Sequence, residues 1–386
     1  MKAEKFIASR LKTKGGMAIT LIAISFFVII LAQSVSSGFR ETIGRKISAI
    51  SGDIQLSPTY HNYLGSDDPI PDNPSYLSDI RDIKGVVSIQ PVIYRAGIAK
   101  KGSAIRGVLF KGTENTDSSL HATIPAGLAS DLNLSEGDVF TGYFPSEKLK
   151  IRKFTVSAIG EDMLGDNRNF IVELPISDLR RLNGWDARQA SALEITLDEK
   201  YRTTAGLKEK AAEAGTVIYT KSTDEEEMMS AVSSAESFAH IYNWLDLIDL
   251  NLLVILGLMI LVAGFNMISG LLILLFRNIS TIGTLKSLGM RDKGIAGVFL
   301  RVTAVIVGKG MLAGNAIAIV LCLIQKSTHI LKLNQANYFV SYVPVEINPT
   351  GIIACDAIAF AAIMLLMLIP CMFISRIDPS ETSKTE

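Results

Sequence analysis

The segment FRNISTIGTLKSLGMRDK, residues 276–293, lies between two long apolar stretches of the chain. The stretch before it, Leu250 to Phe276, contains no ionisable side chain, and the stretch after it, Ile295 to Gln325, is apolar over most of its length. About 20 apolar residues suffice to cross a bilayer core, so each stretch is long enough for one span. The sequence therefore predicts two membrane spans joined by a short charged connection.

This connection has the pattern of a short amphipathic helix. Apolar residues recur at every third position and share one helical face, namely Ile279, Ile282 and Leu285. Gly289 suits the left-handed position after a helix end, where Met290 can fold back onto Leu285 as in a Schellman ending. Asp292 is expected to be the N-cap of the following helix.

The same region is basic. Together with the start of the next span it carries one Asp against five cations: Arg277, Lys286, Arg291, Lys293 and Arg301. Loops with excess Lys and Arg face the cytoplasm. Two interpretations follow: a stiff helix that receives force from a soluble partner, or a basic loop that only sets topology.

Two motifs in this part of the chain resemble a known family. Phe265–Gly270 (FNMISG) and Ile282–Gly289 (IGTLKSLG) are similar to the permease signature of FtsX-like, MacB-type ABC transporters, in particular the LolC/LolE-type permease subunits of the lipoprotein-releasing system. The resemblance extends over essentially the whole chain and implies a type VII ABC transporter fold. The family often has an acidic residue where Thr281 stands, which puts one salt bridge to the ATPase in doubt.

The resemblance implies that the connection is a coupling helix resting on a cytoplasmic ABC ATPase dimer. ATP and Mg would then be bound by that partner and not by this chain. The residues assigned to the coupling site are Arg277, Ile279, Ile282, Leu285, Lys286, Leu288, Gly289 and Arg291.

Composition indicates a mixed membrane protein. The chain has 386 residues, 48% hydrophobic and 20% charged, with a mean hydropathy of +0.33. These values suit a few spans and one sizeable soluble domain. Residues 40–249 carry 23 Lys and Arg against 31 Asp and Glu, an acidic balance that argues against nucleic-acid binding. The three cysteines lie in apolar segments and give no disulfide or metal pattern.

The predicted fold is an α-helical membrane protein with four transmembrane helices and an α+β extracytoplasmic domain like the MacB periplasmic domain. Residues 1–39 hold an elbow helix and the first span, 40–249 the extracytoplasmic domain with its stalk helices, and 250–386 spans two to four with the coupling helix at 277–293. Basic residues before the first span place the N-terminus in the cytoplasm, and four spans return the C-terminus to the same side. The resemblance implies that the membrane is the inner membrane and that the large domain is periplasmic. A cleaved signal peptide ending near Ala32-Gln33-Ser34 is the alternative for the first span.

Apolar stripes predict stalk helices at both ends of the domain. Val35 to Ile50 keeps one stripe beyond the first span, and a returning helix is expected to start at Ser222 or Thr223, with Asp224–Glu227 in its first turn. Between them, strands are predicted at 53–56, 86–99, 103–113, 139–144, 150–159, 170–174 and 192–197, a short helix and turn at 125–138, and a helix at 176–182.

The connection Phe144–Leu149 is short. In the Lol permease that binds the periplasmic lipoprotein carrier, a protruding hook joins the corresponding strands. The departure weakens the expectation that a carrier docks here in the same way.

Two ionisable residues fall inside predicted spans. Lys309 lies in span three, about 24 Å from its outer end, and Asp356 in span four, about 8 Å deep at 1.5 Å per residue. Because the offset exceeds the reach of a lysine, we expect no pairing. Charged groups at this depth are costly, so we expect Lys309 to face a dimer interior or snorkel inward, and Asp356 to face a wet outer vestibule. An inert snorkelling lysine is the alternative.

No motif for catalysis was found in the sequence. There is no Walker A pattern, the four histidines lack metal-ligand spacing, and no Gly-x-Ser-x-Gly elbow occurs. We therefore expect no catalytic, cofactor or metal site on this chain.

The favoured function is lipoprotein release from the inner membrane by mechanotransmission, driven by ATP hydrolysis on a separate subunit. The expected partners are the ATPase dimer, a second permease copy or paralogue, a lipoprotein client, possibly a periplasmic carrier, and membrane lipid. Three alternatives remain: MacB-like export of peptides or amphiphiles, FtsX-like signalling to a cell-wall hydrolase, and an anchored sensor without an ATPase.

Overall fold

A computed structural model describes residues 16–58, 69–114, 119–146, 149–162, 170–223 and 228–371. The predicted elbow helix at 1–14 and the C-terminal residues 372–386 lie outside these residues. The described chain divides into two units, which are treated separately below. The membrane unit contains residues 16–40, 247–331 and 343–371, and the sheet unit contains residues 41–246 and 332–342.

The elements follow one another in this order. The helices are α1 (Gly16–Ser51), α2 (Leu77–Arg81), α3 (Ala126–Leu132), α4 (Ile176–Asn183), α5 (Thr204–Lys221), α6 (Ser234–Ser237), α7 (Ala239–Arg277), α8 (Ile279–Ser287), α9 (Asp292–Thr328), α10 (Gln335–Tyr338), α11 (Pro349–Leu366) and α12 (Leu368–Cys371). The strands are β1 (Ile54–Pro58), β2 (Ile70–Pro71), β3 (Val86–Lys101), β4 (Ala104–Thr113), β5 (His121–Pro125), β6 (Val139–Phe144), β7 (Lys150–Gly160), β8 (Phe170–Pro175), β9 (Gln189–Ala190), β10 (Ala192–Leu197) and β11 (Met229–Ser233).

The prediction of four spans is confirmed. Helices α1, α7 and α9, and the segment Pro349–Cys371, are each long and apolar enough to cross a membrane. Helix α1 continues without a break to Ser51, as its apolar stripe predicts. The fold class predicted from the sequence, four apolar helices with an α+β domain, is therefore correct.

Small residues of α9 allow close packing against α1. A Cβ atom added at Gly310 would lie 2.6 Å from Cγ2 of Ile22, and one at Gly314 would overlap the carbonyl oxygen of Ala23. The absence of a side chain at these two positions therefore lets α1 and α9 pack closely. Gly308 differs, because nothing lies within 4 Å of a Cβ added there.

The sheet unit is built on nine strands in the order β11-β1-β10-β3-β4-β8-β5-β7-β6. An additional pairing of β6 with the second half of β3 closes six of these strands into a ring. Four phenylalanine side chains pack inside these six strands, with aromatic ring centroids 4.7–6.2 Å apart in the contacting pairs: Phe110, Phe140, Phe144 and Phe154. Such aromatic contacts add to the area that each ring buries.

Most predicted strands and both short helices of this unit are confirmed, but the return to the membrane is not. The predicted long stalk helix starting at Ser222 or Thr223 is wrong, because α5 ends there and 229–233 form strand β11, paired with β1. The Asp224–Glu227 run lies outside the described residues. Ser233 then caps α6 through a capping box with Glu236, and the long helix α7 begins only at Ala239.

The end of α1 is held by a buried charged cluster in the sheet unit. The Lys111 ammonium donates to the carbonyl oxygens of Ala49 (2.7 Å) and Ile50 (2.9 Å) and to the Glu194 carboxylate (2.9 Å). The Tyr94 hydroxyl also contacts Glu194 and the Ile50 carbonyl. Burial raises the pKa of Glu194, and the neighbouring Lys111 opposes that shift. A cation at a helix C-terminus complements the helix dipole, so this cluster fixes where α1 ends.

The connection between α9 and α11 contributes to the sheet unit. Gln335 donates to the carbonyl oxygen of Asp162 (3.2 Å), and the ring of Phe339 lies 5.8 Å from that of Trp244. Residues 332–342 of this connection therefore pack as part of the sheet unit.

Candidate coupling site

Helix α8 lies between α7 and α9, at the connection that the sequence identifies. The chain turns at Asn278, whose amide donates to the carbonyl oxygen of Leu274 (2.8 Å) and whose own carbonyl accepts from Ile282 N (2.9 Å). One residue therefore ends α7 and starts α8, which makes the junction short.

The other end of α8 is a Schellman motif, as predicted. Gly289 has φ of +85°, Met290 N donates to Leu285 O (3.0 Å), and Gly289 N donates to Lys286 O (2.9 Å). A glycine adopts this left-handed backbone without a Cβ clash. The helix thus stops at a defined residue.

The expected N-cap role of Asp292 is wrong. Arg291 is the N-cap of α9 and makes no side-chain cap, while Asp292 is the first helical residue. Its carboxylate lies 3.0 Å from the Lys286 ammonium. The helix dipole still stabilises an acidic group in the first turn, and here the ion pair also links α8 to α9.

The residues assigned to coupling divide between two faces of α8. Ile282 is 1% exposed, and Leu285 packs against the same apolar core. Leu288 is 78% exposed, and Arg277 and Arg291 are exposed as well. The apolar stripe used to recognise the helix therefore fixes α8 to the membrane unit, and the opposite face is free to meet a partner.

The residues assigned to coupling leave out two exposed residues of that outer face. Thr281 and Thr284 are exposed on the same side of α8 as Leu288. Thr284 lies three residues after Thr281 and four residues before Leu288, so the three share one face of a helix with 3.6 residues per turn. The helical period therefore indicates this outward face once the stripe of Ile282 and Leu285 is assigned to the inside. Together they make a surface of one leucine, two hydroxyls and flanking arginines.

The two intramembrane ionisable residues have different surroundings. Lys309 is exposed on α9, between Val305 (57% exposed) and Leu312 (68% exposed). Asp356 on α11 is half-buried and accepts a hydrogen bond from the Asn315 amide of α9 (2.5 Å). The structure thus places Asp356 against Asn315 rather than Lys309.

A polar clamp joins α1 to α7. Asp249 accepts from the Ser36 hydroxyl (2.6 Å) and from Arg40 Nε (2.9 Å), and a second guanidinium nitrogen of Arg40 lies 2.6 Å from the same carboxylate. Two contacts from one Arg side chain give a charged hydrogen bond geometric specificity. The two helices are therefore fixed to each other at this level of the membrane unit.

The part of the chain that the structure describes contains no group of three His, Cys, Asp or Glu side chains placed to hold a metal ion.

Comparison with protein families confirms the resemblance of the C-terminal region. Residues 253–379 match the family described as FtsX-like permease C-terminal. This match contains α8 and the spans on either side of it.

Curated relatives align over nearly the whole chain. The lipoprotein-releasing system transmembrane protein LolC of Neisseria meningitidis serogroup B is 22% identical, covering 96% of this chain and 94% of that protein. The corresponding protein LolE of Haemophilus influenzae is 20% identical, covering 93% of this chain and 91% of that protein.

Solved structures are similar to part of the chain. The extracellular domain of the noncanonic ABC-type transporter YknZ from Gram-positive bacteria is 13% identical, with a TM-score of 0.29, over 47% of this chain and 99% of that one. The periplasmic region of MacB from Actinobacillus actinomycetemcomitans is 11% identical, with a TM-score of 0.30, over 49% of this chain and 92% of that one.

Proposed function

We propose that this chain, which carries an FtsX-like permease domain over residues 253–379, is the membrane subunit of an ABC transporter that releases lipoproteins from the inner membrane. The observation that carries the proposal is the outward face of α8 at the turn between two spans. Similarity to LolC and LolE over nearly the full length supports the choice of lipoproteins as client.

The outward face of α8 would contact a separate cytoplasmic ATPase dimer, which binds ATP and Mg. Leu288 offers an exposed apolar anchor, and Arg277 and Arg291 offer charged hydrogen bonds to acidic groups of that partner. Thr281 has a hydroxyl where the family often has an acidic residue, so docking of the ATPase would rely on the contacts of Leu288, Arg277 and Arg291 instead.

Movement of α8 would pass directly into the spans. Ile282 and Leu285 bury the inward face in the apolar core of the membrane unit, and Lys286 is paired with Asp292 at the start of α9. The Schellman ending leaves no loose residue between α8 and the turn that follows it. A push on the outward face is therefore expected to move α7 and α9 with it.

Two of the spans are long enough to carry that motion past the bilayer. At 1.5 Å per residue, the 36-residue α1 and the 39-residue α7 each exceed a hydrocarbon core of about 30 Å by more than about 20 Å. The clamp of Ser36 and Arg40 on Asp249 would make the two helices move as a pair.

The client would be handled outside the cytoplasm, without passing through a channel. Helix α7 carries a run of exposed apolar side chains that a second permease copy or paralogue, or the acyl chains of a client, would cover: Leu250, Leu253, Val254, Leu258 and Leu261. We place both termini in the cytoplasm and the sheet unit in the periplasm, because the basic residues lie at the α8 side. Strands β6 and β7 are joined by only five residues, 145–149, so a periplasmic carrier would need another docking surface.

Depletion of the protein tests the function. Inner and outer membranes are separated after depletion, and mature lipoproteins are located by immunoblot. Accumulation in the inner membrane is expected, and it must be reversed by the wild-type gene. An unchanged distribution would reject lipoprotein release and favour MacB-like export, which increased sensitivity to amphiphilic toxins would support.

A further inference from the structure

The membrane unit contains a cavity of about 470 Å³ that shares Arg277 with the candidate coupling site and otherwise lies outside that site. It lies between the start of α1, the last part of α7 and the middle of α9. The volume is within the range of about 300–1,000 Å³ that ligand pockets usually have. Met17 (80% exposed) and Ile273 (56% exposed) belong to its lining, so the cavity opens to the surroundings of the helices.

The lining has a cationic end and an apolar length. Arg277, the last residue of α7, is exposed at one end, and Asn266 lies 11 residues earlier on the same helix. At 1.5 Å per residue, these two positions are about 16 Å apart along the helix axis. Most of the wall between them is apolar, contributed by residues such as Leu21, Leu271 and Leu274.

This arrangement suits one kind of molecule. A free anion would use Arg277 and leave the apolar wall exposed, whereas a neutral lipid would fill the wall and leave the guanidinium unused. An anionic phospholipid uses both, because its phosphate lies at headgroup level and its acyl chain runs into the bilayer. Basic pockets between membrane helices on the cytoplasmic side bind anionic headgroups in this manner.

We propose that this cavity binds one anionic phospholipid from the leaflet next to the basic α8 region. The phosphate pairs with Arg277, and one acyl chain lies along α7 towards Asn266. The site goes beyond the proposed function, since the lipid is a resident ligand and not the client. It also couples lipid composition to the junction between α7 and α8.

Native mass spectrometry of the purified full chain tests the site. The protein is incubated with phosphatidylglycerol or with phosphatidylcholine of the same acyl chains. We expect one phosphatidylglycerol per chain, with a preference of about fivefold, which corresponds to the about 1 kcal/mol expected for one basic residue near anionic lipid. Arg277→Gln should abolish the preference, and Lys293→Gln, an exposed control outside the cavity, should retain it.

A second pair of variants tests the apolar part. Gly270 lines the cavity and nothing lies within 4 Å of a Cβ added there, so Gly270→Leu should fill the space and abolish lipid retention. Gly257→Leu is the matched control, because it is equally open on the same helix but outside the cavity. Equal loss in both variants, or no loss in either, would overturn the proposal.

Fluorescence gives a measurement that does not depend on filling the cavity. Met17→Trp places an indole at an exposed lining position, and the two natural tryptophans belong to the sheet unit. Brominated phosphatidylglycerol should quench this indole more strongly than brominated phosphatidylcholine. Equal quenching by both lipids, or competition by inorganic phosphate alone, would show that the cavity holds no specific anionic lipid.

Discussion

Replacing Gly314 with alanine should destabilise the membrane unit, although the same change usually stabilises a helix. In an exposed helix interior, Gly→Ala gains up to about 1 kcal/mol. Here the added Cβ would overlap the carbonyl oxygen of Ala23 and lie 3.0 Å from Phe27 N, both backbone atoms of α1. Backbone cannot rotate aside as a side chain does, so α1 and α9 must separate, and overpacking of this kind costs about 1–3 kcal/mol.

Gly308→Ala is the matched control on the same helix. Nothing lies within 4 Å of a Cβ at Gly308, so only the helix-propensity gain remains there. Because both variants share this gain, they should differ by the overpacking cost of about 1–3 kcal/mol, with Gly314→Ala the less stable. At roughly 2–4 °C per kcal/mol, the midpoints should lie several degrees apart.

The assay is the fraction of monodisperse protein that survives heating in detergent, read by size-exclusion chromatography with both variants prepared in parallel. If Gly314→Ala is as stable as Gly308→Ala, the helices do not approach as closely as described, and the packing argument fails.

Three further changes test other parts of the structure. Leu288→Asp should abolish co-purification of the ATPase without lowering thermal stability, whereas Ile282→Asp should lower thermal stability. The reverse pattern would show that Ile282 faces the partner and Leu288 faces the membrane unit. Lys111→Met should cost about 3–5 kcal/mol in thermal unfolding, because the buried Glu194 carboxylate then keeps the Tyr94 hydroxyl but has no countercharge, and adding Glu194→Gln should restore part of that loss. Lys309→Met should reduce permease assembly or transport, and full retention of both would mark the lysine as inert.

The strands and spans were predictable because their signals are local. Val139–Phe144 and Ala192–Leu197 were predicted with the bounds that the structure shows, since each is bordered by turn residues and rich in β-formers. Strand β11 was predicted to be helical, because the apolar residues Met228 and Val232 are four positions apart, which is a helical spacing. Pairing with β1, about 170 residues earlier in the chain, outweighs that spacing, and no local pattern reports such a contact.

The position of helix α8 was predictable, but the orientation of its apolar stripe was not. The spacing of Ile282 and Leu285 correctly indicated a helix, but a stripe alone does not show whether it faces the bilayer helices or a partner. Burial of Ile282 decides this, and the apolar core that buries it also contains Phe299 and Leu275 from two other helices. The Asp249 clamp was likewise beyond reach, because it joins residues more than 200 positions apart.

The closed ring of six strands limits how other molecules can recognise the sheet unit. Within the described nine-stranded sheet, the strand order has one open end, the five-residue β11, because β6 at the other end is paired with β3. An extended peptide that adds to the end of this strand order therefore has only the short β11 to pair with. We expect partners of the closed part of the sheet to be recognised through side chains, so peptidomimetic inhibitors should copy a side-chain surface there rather than a β-strand.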